Sequence, residues 1–174
     1  VEEAVIVHQR AGRSRAAIPL YTAAQRARRD ASPWTLVQAV LAPLQFVVFL
    51  ASVVLVFRYL VSGDGWWAAS VSVVAKTATL YAIMVTGALW EKDVFGRYLF
   101  ADAFFWEDVV SMLVIALHTA YLVALLTGGL SPREQMYLAL AAYATYVVNA
   151  AQFLLKFRAA RRHGAPSTRL AGVA

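Results

Sequence analysis

Four carboxylic acids, Glu91, Asp93, Glu107 and Asp108, bracket an aromatic stretch in a chain otherwise poor in charge. The run Trp90-Glu91-Lys92-Asp93-Val94-Phe95-Gly96-Arg97-Tyr98 is followed by Phe104-Phe105-Trp106-Glu107-Asp108. A carboxyl partly withdrawn from water among aromatic rings keeps its proton more readily and can serve as a general acid. Glu107 and Asp108 also have a plainer role available, since acids at the start of a helix favour its dipole. Glu91 and Asp93 fall at a helix C-terminus, where negative charge is unfavourable, and their plain alternative is pairing with Lys92 or Arg97 at the surface.

Two further groups stand in apolar surroundings. Lys76 is ten residues past Trp66, about 15 Å along a helix, near the midplane of a bilayer. A charge there costs about 3 kcal/mol on insertion scales, so it marks either a functional group or a structural pairing between helices. His118 follows Glu107 by eleven residues, which leaves the two about 20° apart on a helical wheel. Glu107, Ser111, Val114 and His118 therefore share one stripe. Histidine in that place can ligate a metal-centred pigment, carry a proton or pack as a hydrogen-bonded residue.

Thr145, Asn149, Gln152 and Lys156 share a second face, flanked by Tyr146, and Gln38, Gln45 and Ser52 recur at seven-residue spacing. Such rows serve more often as hydrogen-bonding glue between helices than as ligand contacts. Together they make the interior of a bundle polar enough to line a cavity.

The elements that must position these groups are four apolar blocks, at 36–57, 67–90, 109–127 and 135–155. They make up about half of the 174 residues and contain one formal charge, Lys76. The chain is 61% hydrophobic and 15% charged, with mean hydropathy +0.61, well to the membrane side of a soluble domain. Each block can cross about 30 Å of hydrocarbon. The expectation is an all-α polytopic membrane protein with spans at about 34–60, 66–90, 106–127 and 132–157 inside a transmembrane domain at 32–158. The basic segments 1–31 and 159–174 flank it, the second as a flexible tail.

Arg10, Arg13, Arg15, Arg26, Arg28 and Arg29 precede the first block, and Lys156, Arg158, Arg161, Arg162 and Arg169 follow or close the last. That bias places both termini in the cytoplasm. The turns at 62–65 and 128–132 carry no Lys or Arg and read as outward, while the middle connection, 91–105, contains Lys92 and Arg97 and returns to the cytoplasmic side. The first block begins well inside the chain without a small-residue cleavage site, so it reads as a span rather than a signal peptide.

Local signals agree. Thr22-Ala23-Ala24-Gln25 has capping-box spacing, which predicts a short basic surface helix at about 23–30. Ser32-Pro33 starts the first span, and Pro43 within it predicts a kink. Ser131-Pro132-Arg133-Glu134 repeats the start signal for the fourth. Trp66, Trp67, Trp90, Trp106 and Tyr59 fall at span ends, as interfacial anchors do.

Several classes are excluded or disfavoured. Zero cysteine removes disulfides, thiolate nucleophiles and cysteine-held metal centres. Net charge +6 and pI near 9.9 match lipid phosphate and topology better than nucleic acid, because the charge sits beside apolar spans. There is no phosphate loop, His-Glu-x-x-His element or serine elbow, and three histidines cannot build an all-histidine metal site.

The stretches Leu20-Tyr21-Thr22 to Gln25, Arg29-Asp30, Trp34-Thr35-Leu36-Val37-Gln38, Val40-Leu41-Ala42-Pro43-Leu44-Gln45-Phe46, Met84-Val85-Thr86-Gly87-Ala88-Leu89-Trp90-Glu91-Lys92, Phe104-Phe105-Trp106-Glu107-Asp108, Ala116-Leu117-His118-Thr119-Ala120-Tyr121 and Ala141-Ala142-Tyr143-Ala144-Thr145-Tyr146-Val147-Val148-Asn149 resemble the 2-vinyl bacteriochlorophyllide hydratase family of bacteriochlorophyll biosynthesis. The likeness covers about 19–158 and follows the order of all four spans. It implies addition of water across the ring-A vinyl group of a chlorophyllide or bacteriochlorophyllide, giving a 1-hydroxyethyl group, in a bacterial inner membrane. It implies no cofactor, since magnesium arrives with the tetrapyrrole.

The resemblance brings no established catalytic set, so roles follow from chemistry and position. Glu91 and Glu107 are the first candidates for the acid and its conjugate base, with Asp93 and Asp108 orienting water or a cationic neighbour. For the substrate, His118 is a candidate axial ligand to magnesium; Lys92, Arg97 or Lys76 would meet the propionate, and Asn149, Tyr146 and Gln45 would line the cavity. A non-catalytic pigment-binding or pigment-delivery subunit of a photosynthetic assembly is the rival reading, and a proton-coupled carrier a distant third. The partners expected are the pigment and the bilayer, with a homo-oligomer or association with other pigment-biosynthesis or photosynthetic proteins left open.

Overall fold

The computed structural model describes residues 20–164. The arginines at 10, 13 and 15, and the segment from 165 onward, lie outside the described residues, so the two expected basic tails are seen only where they meet the helices. Among the described residues there are five helices and no strand: α1 (Ala23–Ala31), α2 (Pro33–Ser62), α3 (Trp66–Phe95), α4 (Phe105–Thr127) and α5 (Pro132–Gly164).

Each boundary has a local cause. Thr22 caps α1 through a reciprocal box with Gln25, at 2.8 and 3.2 Å. Ser131 and Glu134 form the same kind of contact at the start of α5. Ser32 departs from expectation: it precedes Pro33 without capping its own helix, and its hydroxyl donates to Asp93 of α3 at 2.7 Å. The α2–α3 turn is short because Gly63 and Gly65 both take positive φ, at 78° and 87°, where a Cβ is strained.

Four of the helices, Pro33–Ser62, Trp66–Phe95, Phe105–Thr127 and Pro132–Ala160, are long and apolar enough to cross a membrane. Their outward faces carry Leu36, Val61, Leu126, Leu154 and Leu155, all largely exposed. Water would oppose that surface and lipid accepts it. This is the architecture of a multi-pass membrane protein.

The middle connection is shorter than the 91–105 expected, because α3 runs on to Phe95. Val94 and Phe95 pack into a small aromatic core with Tyr21, Trp90, Phe104 and Phe153, and that burial outweighs the unfavourable acids in the last turns. Glu91 stands twenty-five residues after Trp66, about 38 Å along the axis. The hydrocarbon is about 30 Å thick, so Glu91 lies near or just past its edge. The last helix is likewise longer than expected, continuing to Gly164.

The helices pair as two hairpins, α2 with α3 and α4 with α5, each close-packed along its length. Between the hairpins runs a seam with an apolar lining of Phe49, Val56, Val73, Val114 and Met136. Polar contacts cross it: Ser52 meets Tyr143 at 2.5 Å, and Tyr81 meets Thr119 at 2.7 Å. The ionisable groups singled out by type and spacing gather along this seam and at one end of it.

Candidate active site

At the end of the bundle where α3 and α5 finish and α2 and α4 begin, Glu91 and Asp108 face each other, close enough for each carboxyl to act on the other. They are 6% and 3% exposed. Two adjacent main-chain amides hold them: Ala101 N–H donates to Glu91 Oε2 at 3.2 Å, and Phe100 N–H donates to Asp108 Oδ2 at 2.7 Å. Phe100 has φ 59° and is the non-glycine residue with positive φ among those described. An aromatic residue in the left-handed region is strained, and here the turn aims consecutive amides at the two acids.

Beside this pair is a third carboxyl with a different partner. Lys156 Nζ lies 2.5 Å from Glu107 Oε2 and also donates to the Ala103 carbonyl. Asn149 fixes the main chain of the same turn, donating to the Glu107 carbonyl at 2.8 Å while accepting from Ser111 at 3.2 Å. Glu107 is thus an ion-paired anchor between α4 and α5, close enough to Asp108 to act on it electrostatically.

The surroundings grade from dry to exposed. Phe104 is 1% exposed and touches Trp90, Phe95, Phe153 and Phe157 ring to ring at 5.7–6.0 Å. Phe105 and Trp106 lie on the outside, with the Phe100 ring tilted against Phe105 at 5.8 Å and Tyr98 nearby in sequence, all four exposed. Ahead of α1, Tyr21 stacks on Phe95 at 5.9 Å with the Arg29 guanidinium 5.0 Å over its ring. Burial pushes its phenol up to about 12, against the pull of Arg29.

The remaining acid and bases do not join the pair. Asp93 is exposed and holds Ser32; Lys92 contacts Tyr98; Arg97 reaches exposed Asp102 at 3.7 Å. Trp90 also ties α3 to the start of α2, its indole donating to Thr35 at 3.0 Å.

Lys76, His118, Tyr146 and Gln45 form a separate cluster in the seam. His118 stands ten residues after Asp108, about 15 Å along α4, and Lys76 stands fifteen before Glu91, about 22 Å along α3. Val114, 1% exposed, fills the stripe between the two clusters. Lys76 and His118 are both 0% exposed; Lys76 Nζ sits 3.7 Å above the Tyr146 ring, and His118 Nδ1 is 2.8 Å from the Val114 carbonyl. Reaching His118 from outside requires the hairpins to part. The set expected to act together is therefore two sets.

Sequence reasoning did not find the two amide donors, because a left-handed phenylalanine has no signature in composition or spacing. Lys156 was visible as part of a polar face, but its partner was not.

A family model for 2-vinyl bacteriochlorophyllide hydratase matches residues 21–159. A protein of that name from Rhodobacter capsulatus is 66% identical over 146 residues, 84% of this chain and 85% of its own length. Another, from Cereibacter sphaeroides, is 66% identical over 145 residues, 82% of this chain and 88% of its own. No solved structure matches.

Proposed function

The chain belongs to the 2-vinyl bacteriochlorophyllide hydratase family, and from that premise we propose that it adds water to the ring-A vinyl group of a chlorophyllide-type pigment by acid–base chemistry at the Glu91–Asp108 pair. The family makes the chain a hydro-lyase, which leaves the non-catalytic pigment subunit without support. The observation that carries the site is the meeting of these two buried carboxyls, each held by a main-chain amide, beneath an exposed aromatic rim.

The chemistry follows from what the pair can hold. Two carboxyls can hydrogen-bond to one another only when one of them supplies an O–H. That proton passes to the terminal vinyl carbon, which becomes a methyl group. The double bond supplies the electron pair, leaving a cation on the inner carbon that the conjugated macrocycle delocalises. Water attacks there, and the proton it sheds returns to the carboxylate pair. Atoms and charge balance, and no oxidant, reductant or cofactor enters; the magnesium is part of the substrate.

The neighbouring residues assist in distinct ways. The negative charge left on the pair when its proton departs lies beside the developing cation, and the dry environment strengthens that attraction. Phe104 and Trp90 exclude bulk water from one side. Tyr98, Phe100, Phe105 and Trp106 offer flat apolar surface on the other, where a macrocycle can stack. Lys92 and Arg97 are the cations nearest that rim in the chain and are suited to meet the propionate. Lys76 is about 22 Å from Glu91 along α3, further than a tetrapyrrole is wide, so it serves this pose poorly. The charge bias of the flanking segments supports a cytoplasmic orientation for this end of the bundle.

The test is Glu91→Gln and Asp108→Asn, made separately and followed by the absorbance change from vinyl to hydroxyethyl pigment. Each keeps an oxygen that can accept the main-chain N–H. The proposal expects loss of turnover with pigment binding retained; turnover within tenfold of wild type in both variants overturns it.

A further inference from the structure

Helix α1 takes no part in the proposed reaction, and the contacts at its two ends fix how it lies. Just ahead of it, Tyr21 stacks on Phe95 at 5.9 Å; just after it, Ser32 donates to Asp93 at 2.7 Å. Phe95 and Asp93 are two residues apart on α3, about 3 Å in depth. The nine residues of α1 span about 13 Å. A helix whose two ends meet the same turn of α3 lies across the bundle and not along it. The corner into α2 is firmly held. Ser32 leaves the helical conformation at ψ 127°, and its N–H closes α1 on the Arg28 and Arg29 carbonyls. The Thr35 hydroxyl donates to the Arg29 carbonyl at 2.6 Å and accepts the Trp90 indole N–H at 3.0 Å.

Two neighbours set the depth of that corner. Leu36, four residues past Ser32 on α2, is 71% exposed, an apolar surface for hydrocarbon to cover, and lies about 6 Å deeper. On α3, Phe95 is four residues past Glu91, about 6 Å beyond a group that already stands near or just past the hydrocarbon edge. The polar layer between hydrocarbon and water is about 5–7 Å deep on each side. Both measures put α1 in the headgroup layer, lying in the plane of the membrane.

What α1 presents there is positive charge. It carries Arg26, Arg28 and Arg29 against one acid, Asp30. Arg29 takes that acid at 2.6 Å and covers the Tyr21 ring. Arg26 and Arg28 are exposed, and at about 100° per residue they leave opposite flanks of the helix. Between the flanks, on the side turned away from half-buried Gln25 and Arg29, Ala23, Ala27 and Ala31 form an exposed strip with no polar side chain. An apolar strip edged by bases suits a helix lying among headgroups, and each base near an anionic leaflet is attracted to it. We propose that α1 is an anionic-lipid-binding helix, in which Arg26 and Arg28, held in the headgroup layer by the α1–α2 corner, bind the phosphates of negatively charged phospholipids.

The chain has no cysteine, so Ala23→Cys, Ala27→Cys and Ala31→Cys each give one attachment point for a nitroxide. The full chain is placed in vesicles of phosphatidylcholine mixed equally with phosphatidylglycerol, and depth is read from collisions with oxygen and with a water-soluble nickel chelate. All three labels should report one depth, in the headgroup layer. Steps of about 6 Å from label to label, or labels open to bulk water throughout, overturn the proposal. Lipid choice is read from equilibrium binding of radiolabelled phosphatidylglycerol or phosphatidylcholine to the full chain in non-ionic detergent. Arg26→Gln with Arg28→Gln should lower the preference for phosphatidylglycerol by about fivefold per arginine, and sodium chloride should lower that of the unaltered chain. An unchanged preference in the double variant, or one that salt leaves intact, overturns the proposal. Displacement of phosphatidylglycerol by inorganic phosphate at matched ionic strength overturns lipid as the occupant in favour of a free anion.

Discussion

The two polar clusters of this bundle are both buried, yet they differ in how fully their hydrogen bonds are met. At the end of the seam, Glu91, Asp108 and Glu107 each accept from a named donor, two of them main-chain amides and one a lysine. At mid-depth, Lys76 and His118 each keep an atom without a partner. A saturated cluster fixes geometry to within a few tenths of an ångström, which proton transfer to carbon requires. Burial alone does not distinguish the two clusters, whereas the count of donors and acceptors does.

The sharpest way to break this contrast is at the carboxyl pair. Glu91→Gln and Asp108→Asn are each expected to lower the rate of vinyl conversion by about 10²–10⁴-fold, the usual share of a general acid or base. Pigment affinity, read by absorbance titration, should move little. Equal loss on replacing Lys76 would place the reaction at mid-depth instead.

Stability should separate the clusters in the opposite sense. Lys156→Met leaves Glu107 buried without its ammonium, and breaking such a pair costs about 3 kcal/mol or somewhat more. Thermal unfolding in detergent should show that loss, and Lys156→Met combined with Glu107→Gln should recover most of it. Lys76→Met removes an ion with no acceptor, and replacement of such a group by an apolar side chain of similar volume is neutral or stabilising. A fall in Tm for Lys76→Met as large as for Lys156→Met would erase the distinction.

The smallest effect concerns the attachment of α1. The Tyr21 phenol is raised from its ordinary value to about 12 by burial, so the docked form favours neutral tyrosine. Its contribution is complete below the ordinary value of about 10 and is lost as pH rises through about 12. A spin label at Ala27 should gain mobility over that window, and Tyr21→Phe should remove the pH dependence.

Much of this arrangement is legible in the sequence. The four apolar blocks locate four helices because nothing but lipid or a core tolerates runs of that length, and the boxes at Thr22 and Ser131 form as their spacing requires. The stripe from Glu107 through Ser111 and Val114 to His118 is buried along its whole length, as a 3.6-residue period demands. What the sequence withholds is pairing across elements. Glu91 and Asp108 meet because Val94 and Phe95 extend α3 and because the loop folds back through Phe100. Lys156 finds Glu107 only once α5 lies against α4. Ser32, whose position advertises a cap, spends its hydroxyl on Asp93 because tertiary geometry supplied a charged acceptor. Treating Glu107 and Glu91 as equivalent candidates was natural on sequence grounds, and only the lysine distinguishes them.

The donors that hold the carboxyl pair are amides of the polypeptide itself, and this has a bearing on how the loop tolerates change. At Ala101, 2% exposed, a side chain small enough to fit leaves the N–H where it is, and at Phe100 glycine or asparagine would relax the left-handed turn while preserving the donor. Proline alone deletes one outright. Mutational drift along this loop should therefore be closed to proline outright, held to small side chains at Ala101 by space and opened to glycine and asparagine at Phe100 by its φ, a pattern that a saturation library selected for pigment conversion would display directly.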